Sequence, residues 1–547
     1  MKTRCLCCFD GETQTYKQEL RELLKITWPI ALTQFLMFLP VFVSQSFCGH
    51  LGKEAIDGVA LASTVINVSG MCVMLGLSSA VDTLFSQTLG SGNKEKVGII
   101  LQKGIWILLL SCLPCWTLFL NTGTILQSIG QDIVVSRIAG EYATIFMAGL
   151  PVYGINILLS KYMQVQLIVI PSLLIGIMIN IMNAGLHALF IYVVGMETRG
   201  AALAATLTHW FSALLHVLFI RCKGTYKATW TGWSKGSLYG WGAFVKLAIP
   251  GLFMICMEYW GLEIIVLLSG LLGKVDLAAN AIVYNIGGLI YMIVFGMSVA
   301  AGIRVGLFLG AGDSKMAHVA SRVAMCCGSC FAVIIAVFFV TLKDFIPKLF
   351  SSNSDVLVLA SSLLLQLALF KVFDTVQATC GGILRGIGLQ AFGAVFNFFG
   401  YYIISLPISL TLMLATPLKV PGAYWGMIIG SFVVCVIYCV RIFTLDWEKE
   451  TSKALKRACL EGSVKETDSI ITHDEKQSIQ MADVSLNEGS YKCYNSMDSS
   501  ILGGDEIQDK TDNLSSNQRS ILCKIFVLIL FLLIFTGGVC VRILVHI

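Results

Sequence analysis

The sequence predicts an all-α polytopic membrane protein, and three observations carry that prediction. Hydrophobic residues make up 56% of the 547 residues and charged residues only 13%, against roughly 25% charged in soluble domains. Apolar windows recur along nearly the whole chain, each of about 20 residues and long enough to cross a hydrocarbon core of roughly 30 Å as a helix. Short sequence matches also recur at one spacing, so we expect two copies of one helical bundle.

The internal repeat rests on four pairs of short stretches that lie 220 to 222 residues apart. The pairs are KITWP (25–29) with KLAIP (246–250), GHLGK (49–53) with GLLGK (270–274), LGSGN (89–93) with LGAGD (309–313), and RGAALA (199–204) with PGAYWG (421–426). A fixed period of this kind is the mark of duplicated structure.

Six membrane spans are predicted in each copy. An even number of crossings gives both copies the same orientation, so we expect two six-helix bundles related by a pseudo-two-fold axis along the membrane normal. The spans are 26–48, 58–81, 104–120, 138–158, 167–195 and 200–221, then 246–269, 277–301, 319–342, 356–380, 390–415 and 421–445.

Polar segments divide the rest of the chain. Residues after 445 are rich in Ser, Asp, Glu, Lys and Asn, which predicts disorder, until a last apolar run predicts a thirteenth transmembrane helix. For Cys5, Cys7 and Cys8 three alternatives remain: palmitoylation, metal binding, or unmodified reduced thiols. The expected segments are 1–25 (cytoplasmic N-terminal segment), 26–221 (first bundle), 222–245 (cytoplasmic linker), 246–445 (second bundle), 446–519 (disordered cytoplasmic tail) and 520–547 (thirteenth helix).

Lysine and arginine predict the orientation. Even-numbered connections carry thirteen of them, counting Lys161 and Arg385, and odd-numbered ones carry seven. The positive-inside rule then places the N-terminus in the cytoplasm and the C-terminus outside. We expect a monomeric, multi-pass protein in the lipid bilayer of the plasma membrane.

Several function classes are disfavoured. The net charge of +5 is spread over loops without forming a basic patch, which argues against nucleic-acid binding. LGSGN and LGAGD follow no strand and lack the lysine of a phosphate-binding loop. We therefore expect neither an enzyme nor a bound cofactor.

The stretch ICMEYWGLEI (255–264) places Glu258 and Glu263 inside span seven. A carboxylate at the centre of a membrane helix costs about 2.5 to 3.5 kcal/mol, so such residues usually have a function. Five residues separate the two side chains by about 140° on a regular helix. We therefore expect them not to share one pocket, with Glu258 facing the bundle interior and Glu263 at its edge or against a neighbouring helix.

Other polar side chains in the second copy join these two. Asn285 lies in span eight, and Lys371 and Asp374 lie three residues apart in span ten, a spacing at which the lysine can neutralise the acid. Aromatic residues near the acids are candidates for binding an organic cation through their ring faces, although packing is the commoner role of aromatic residues in spans. They are Tyr259, Trp260, Tyr284 and Tyr291.

A buried carboxylate that opens alternately to either side binds a proton or a cation, each at the expense of the other. This predicts a secondary antiporter that exports small organic cations in exchange for protons, with Glu258, Glu263 and Asp374 coupling the two. The alternatives are a sodium-coupled or an anion or zwitterion exporter of the same fold, a lipid-linked flippase, and a non-transporting membrane scaffold.

Residues 20 to 445 resemble the multidrug and toxin extrusion (MATE) family, especially its animal members. The stretches that carry the resemblance are CMEYWGLEI, GLSSAVDTLFSQTLGSGN, SVAAGIRVG, LGAGD and GGILRG. A thirteenth span after a polar tail is similar to the vertebrate pattern. The resemblance implies two six-helix bundles and proton-coupled export of organic cations, with acids of the second bundle at the centre.

Position by position, the resemblance assigns roles and also departs from the family. Glu258 matches the family's essential glutamate and Glu263 its neighbour, while Asp374 stands where animal relatives have a glutamate. Asn285 occupies the place of a third glutamate and Lys371 that of a histidine in a relative. Because an amide cannot titrate and lysine adds a positive charge, these departures predict a narrower or less cationic substrate range.

Overall fold

The structure, a computed structural model, describes residues 6–270 and 272–460, and every regular element within them is helical. Cys5, the tail beyond residue 460 and the predicted thirteenth helix lie outside these residues. The helices are α1 (Leu6–Gly49), α2 (Lys53–Gly90), α3 (Lys96–Leu120), α4 (Thr122–Ser128), α5 (Ile133–Phe146), α6 (Leu150–Val165), α7 (Ile170–Val193), α8 (Glu197–Lys223), α9 (Gly242–Ser269), α10 (Lys274–Gly310), α11 (Ser314–Leu342), α12 (Ser354–Ile387), α13 (Gln390–Leu414), α14 (Lys419–Phe443) and α15 (Trp447–Leu460).

Most of these helices have the length and composition of membrane spans. Within the described residues, eleven are long and apolar enough to cross a bilayer, and the bent pair α5 and α6 brings the number to twelve. The prediction of an all-helical chain with about twelve spans in this region is confirmed.

The predicted fourth span, 138–158, is not one straight helix. α5 ends at Phe146, α6 begins at Leu150, and their axes are bent by 54°. Pro151 lies in the first turn of α6, where its missing N–H and fixed φ suit a helix start but prevent α5 from continuing through it. The apolar window alone did not reveal this break.

Two glycine turns mark one end of the molecule, which we call the Gly52 face. Gly52 and Gly273 follow α1 and α9 with φ of 126° and 138°, a region that side-chain-bearing residues rarely enter. α1 and α10 run antiparallel, because Gly296 packs on Ala31 while Gly288 packs on Phe38. The end of α1 and the start of α10 therefore lie at this same face.

The opposite end, which we call the Gly92 face, holds the turns after α2 and α10. Gly92 and Gly312 have φ of 84° and 79°. A Cβ added to Gly90 would collide with the Leu307 carbonyl, and one added to Gly310 would collide with the Gln87 carbonyl. α2 and α10 thus approach closely enough here to exclude solvent between them.

Buried apolar side chains group by sequence position. We call residues 6–223 the N-half and residues 242–460 the C-half. One cluster is drawn from the N-half and the start of α9, and a second from α9 to α14 of the C-half. A third joins residues 23–30 of α1 to the C-half near the Gly92 face, so α1 packs on both halves.

The predicted disordered tail, 446–519, starts too early, because residues 447–460 form α15. Trp447, Ala454 and Ala458 are buried. The two alanines follow the tryptophan by seven and eleven residues, which is the spacing of one face of a helix. The segment is polar on average, so its composition does not reveal this amphipathic period.

α15 also supports the closed Gly92 face. Arg457 donates hydrogen bonds to Gln87 Oε1 at 3.0 Å and to the Ile387 carbonyl at 2.7 Å. Gln87 in turn donates to the same Ile387 carbonyl at 3.2 Å. One guanidinium therefore bonds both to α2 of the N-half and to the end of α12 in the C-half.

Candidate functional site

A cavity of about 390 Å³ lies between the N-half and the C-half, on the Gly52 side of the molecule. Its walls come from α1, α2 and α6 on one side and from α9, α10, α12 and α14 on the other. A space of this size is typical of small-molecule sites. The helices that line it are membrane spans, so a bound solute would sit at the depth of the bilayer.

The floor of the cavity is formed where α2 crosses α9. Cys72 Sγ lies 3.1 Å from Cys256 Sγ, and further towards the Gly92 face a Cβ on Gly251 would collide with Ser79 Oγ. Because the glycine lets the two helices touch, the path from the cavity to the Gly92 face is closed.

Glu258 and Glu263 both line this cavity. Glu258 is 9% exposed and lies beside Lys371 and Asp374. Glu263 accepts a hydrogen bond from the Tyr284 hydroxyl on α10 at 2.6 Å, in keeping with the expected contact to a neighbouring helix. The expectation that the two acids would not share a pocket is wrong, because the cavity is wide and follows α9 for more than one turn.

Lys371 and Asp374 form a buried ion pair at the cavity wall. Lys371 Nζ lies 2.7 Å from Asp374 Oδ2, and the two side chains are only 4% and 1% exposed. The ammonium also lies 4.9 Å from the centre of the Tyr291 ring, within the range of a cation–π contact. Glu258 therefore stands beside an acid whose charge is already matched.

The predicted aromatic residues divide into two groups. Tyr259, Tyr284 and Tyr291 line the cavity, as does the amide of Asn285, and the rings of Tyr259 and Tyr291 meet edge to face at 5.8 Å. Trp260 is placed elsewhere: its indole nitrogen donates to the Val68 carbonyl of α2 at 3.1 Å. Of the nine predicted site residues, only this one is not brought to the cavity.

The N-half wall differs in charge from the C-half wall. Within the described residues, every acid that lines the cavity comes from the C-half. The polar groups that the N-half contributes are amides and hydroxyls, and its one charged group there is the cation Lys161. The amides are those of Gln34, Gln45, Asn67 and Gln164.

Sequence reasoning missed a charged cluster below the cavity. Lys161 Nζ lies 2.8 Å from Asp82 Oδ1, and Arg385 Nε lies 3.6 Å from Asp82 Oδ2, so the acid of α2 bridges to both halves. The sequence predicts Lys161 and Arg385 in connections between spans, yet both are buried within helices. The apolar character of the second span continues to Gly90, and a span predicted to end there includes Asp82 as an intramembrane acid.

A second, smaller cavity of about 20 Å³ adjoins Glu258 on the side away from the main one. Arg385, Ser298 and Tyr438 line it, and Arg385 donates to Ser298 Oγ at 2.8 Å. The space fits one water molecule. It connects the polar groups around Glu258 with the Asp82 cluster.

A solute-sized cavity that lies between two halves of membrane-spanning helices and is closed at one end is typical of membrane transporters. A family model described as MatE matches residues 29–193 and 250–411. The chain belongs to this family of transporters, and it is not an enzyme.

Individual relatives agree with this assignment. The chain is 43% identical over 457 residues to multidrug and toxin extrusion protein 1 of Oryctolagus cuniculus and 42% identical over 458 residues to that of Homo sapiens, with 84% of this chain and 80% of each relative covered. The crystal structure of the eukaryotic MATE transporter AtDTX14 superposes with a TM-score of 0.79 at 28% identity, covering 81% of this chain and all of that one.

Proposed function

We propose that this protein exports organic cations in exchange for protons by exposing its cavity alternately to the two sides of the membrane. Relatives at about 40% identity carry the name multidrug and toxin extrusion protein. In this chain, acids on one wall of the cavity and tyrosine rings beside them fit a cationic solute. Glu258, Glu263 and Asp374 are proposed to hold the exchanged charges, and Tyr259, Tyr284, Tyr291, Asn285 and Lys371 to shape the site.

The observation that carries the proposal is the position of Glu258. Its carboxyl lies at the inner end of the solute cavity, nine-tenths buried, beside an acid that is already paired with a lysine. At about 4 Å and an effective dielectric near 20, a cation at this carboxylate gains roughly 4 kcal/mol before desolvation. A proton on the same oxygen removes that attraction, so the two ligands exclude each other.

The closed Gly92 face supports alternation. The cavity is reached from the Gly52 side, and glycine-mediated packing of α2 on α10 blocks the other side. An inward-open state requires that this packing separate while the cavity closes at the Gly52 face. The paired contacts of Gln87 and Arg457 between the two halves are suited to stabilise one of two such states.

The architecture proposed for this mechanism is two six-helix bundles, 26–221 and 246–445, related by a pseudo-two-fold axis along the membrane normal and joined by the cytoplasmic linker 222–245. We place the segment 1–25 in the cytoplasm, the Gly52 face outside the cell, and a thirteenth helix at 520–547 after a polar tail. The proposed location is the plasma membrane, and the proposed unit of transport is the monomer. The fixed spacing of the repeat and the lysine and arginine bias support this arrangement.

The test is transport by the purified full-length protein in proteoliposomes. A pH gradient imposed in the absence of sodium is expected to drive concentrative uptake of radiolabelled tetraethylammonium. Uptake driven by a sodium gradient alone would favour sodium coupling, and uptake of an anionic or zwitterionic probe in place of the cation would change the substrate class. Absence of gradient-driven flux of any probe, lipid analogues included, would contradict the proposal.

A further inference from the structure

Lys371 places a buried ammonium inside the proposed cation site. Its ammonium lies 2.7 Å from Asp374 and 4.9 Å from the centre of the Tyr291 ring, so a carboxylate and a ring face both hold it. Only 4% of the side chain is exposed, so the ammonium has little contact with water. It therefore occupies a place that a substrate cation would otherwise take.

The charges at this depth of the membrane almost cancel. Asp374 is matched by Lys371, and Asp82 lies between Lys161 and Arg385. With every group ionised, the four acids exceed the three cations by a single negative charge. The acids are Asp82, Glu258, Glu263 and Asp374, and the cations are Lys161, Lys371 and Arg385.

A site with one excess negative charge is neutralised by one positive charge. One proton suffices, and so does one monovalent cation, whereas a dication would leave a net positive charge in a low-dielectric cavity, which is unfavourable. The bulk of the cavity does not impose this limit, because about 390 Å³ accommodates mono- and dications of the same shape.

Resting on the proposed cation and proton exchange, we infer that Lys371 restricts the site to a single exchangeable positive charge and so selects monovalent over divalent organic cations. Lys371 is then a specificity-determining residue that acts through the charge of Asp374. Removal of its ammonium leaves two unmatched carboxylates near each other, a pair that favours a second positive charge.

The experiment compares two aromatic cations of the same size, methylphenylpyridinium with one charge and dimethylbipyridinium with two. Full-length protein in proteoliposomes is assayed for uptake of each under the same pH gradient. The wild type is expected to prefer the monocation. Its monocation uptake should not change with a membrane potential set by potassium and valinomycin, because one charge is exchanged for one.

Lys371→Gln is expected to raise the ratio of dication to monocation transport by about tenfold or more, since an added unit charge interacts strongly at an effective dielectric near 20. Lys371→Met removes the same charge from a side chain of similar length and should raise the ratio by a similar factor. Lys371→Arg keeps the charge and should keep the preference. A single monodisperse peak on size-exclusion chromatography controls for folding.

An unchanged ratio in folded Lys371→Gln, or wild-type monocation uptake that follows the membrane potential, would overturn the inference. If Lys371→Gln does not fold, the wild type decides: a several-fold preference for the monocation over the dication supports the inference, and equal uptake of the two would count against the role of Lys371. These outcomes leave the proposed exchange itself intact. That proposal fails only if a pH gradient drives no cation flux in the wild type.

Discussion

A bond between Cys72 and Cys256 would tie the two halves together at the floor of the cavity. The two sulfurs are 3.1 Å apart on α2 and α9, and the residues are 184 positions apart in the chain. A disulfide needs a sulfur separation of about 2.05 Å, so a closure of roughly 1 Å suffices. If transport requires α2 to move relative to α9, the cross-linked molecule cannot complete a cycle.

The assay uses a variant in which the other cysteines are replaced and the membrane is treated with the oxidant copper phenanthroline. We expect the fraction of transport lost to equal the fraction cross-linked, measured as the loss of free thiols by mass spectrometry, and dithiothreitol to restore both. A matched control retains Cys380 and Cys439 instead. Their sulfurs are 3.9 Å apart but both lie in the C-half, so oxidation there should leave transport unchanged.

Full transport in protein that is completely cross-linked between Cys72 and Cys256 would contradict the expected movement of α2 relative to α9. That outcome would mean that α2 and α9 stay together throughout the cycle. Incomplete cross-linking is taken into account, because transport is compared with the cross-linked fraction at each oxidant concentration.

Two further predictions concern the Gly92 face and the cavity wall. Arg457→Met removes charge-assisted hydrogen bonds to Gln87 and to the Ile387 carbonyl, worth about 1.5 to 3 kcal/mol each. Deuterium exchange of amides at the Gly92 end of α2 should therefore accelerate by about tenfold or more, and unchanged exchange would argue against this contact. Tyr284→Phe removes the donor to Glu263 and should raise the cation KM several-fold with a smaller effect on Vmax, whereas an unaltered KM would show that this hydrogen bond does not position the acid.

The sequence predicts the spans well because membrane burial demands long apolar windows, and the repeat at 25–29 and 246–250 survives as short matches. It also predicts the residues of the acidic wall, because burying a carboxylate such as that of Glu258 in a bilayer costs free energy and such residues usually have a function. These inferences depend on composition along one helix. They need no knowledge of how helices pack.

The features that escaped prediction depend on contacts between distant segments. Asp82 falls one residue beyond the predicted end of span two, so the sequence does not predict its ion pairs with Lys161 and Arg385. The side on which Trp260 packs follows from the approach of α2 to α9, and the shared cavity of the two glutamates follows from its width. Each of these is a matter of tertiary packing, which the helical period of a single segment does not encode.

The central claim is that the Glu258 carboxyl holds a proton or a cation but not both. It is tested most directly by counting the protons released when a cation binds to the purified protein, by calorimetry in buffers of different ionisation enthalpy. We predict that the wild type releases protons when tetraethylammonium binds, and that Glu258→Gln releases fewer or none. Equal proton release by the two proteins, or binding by the wild type with no proton release across the titration range, would contradict the claim.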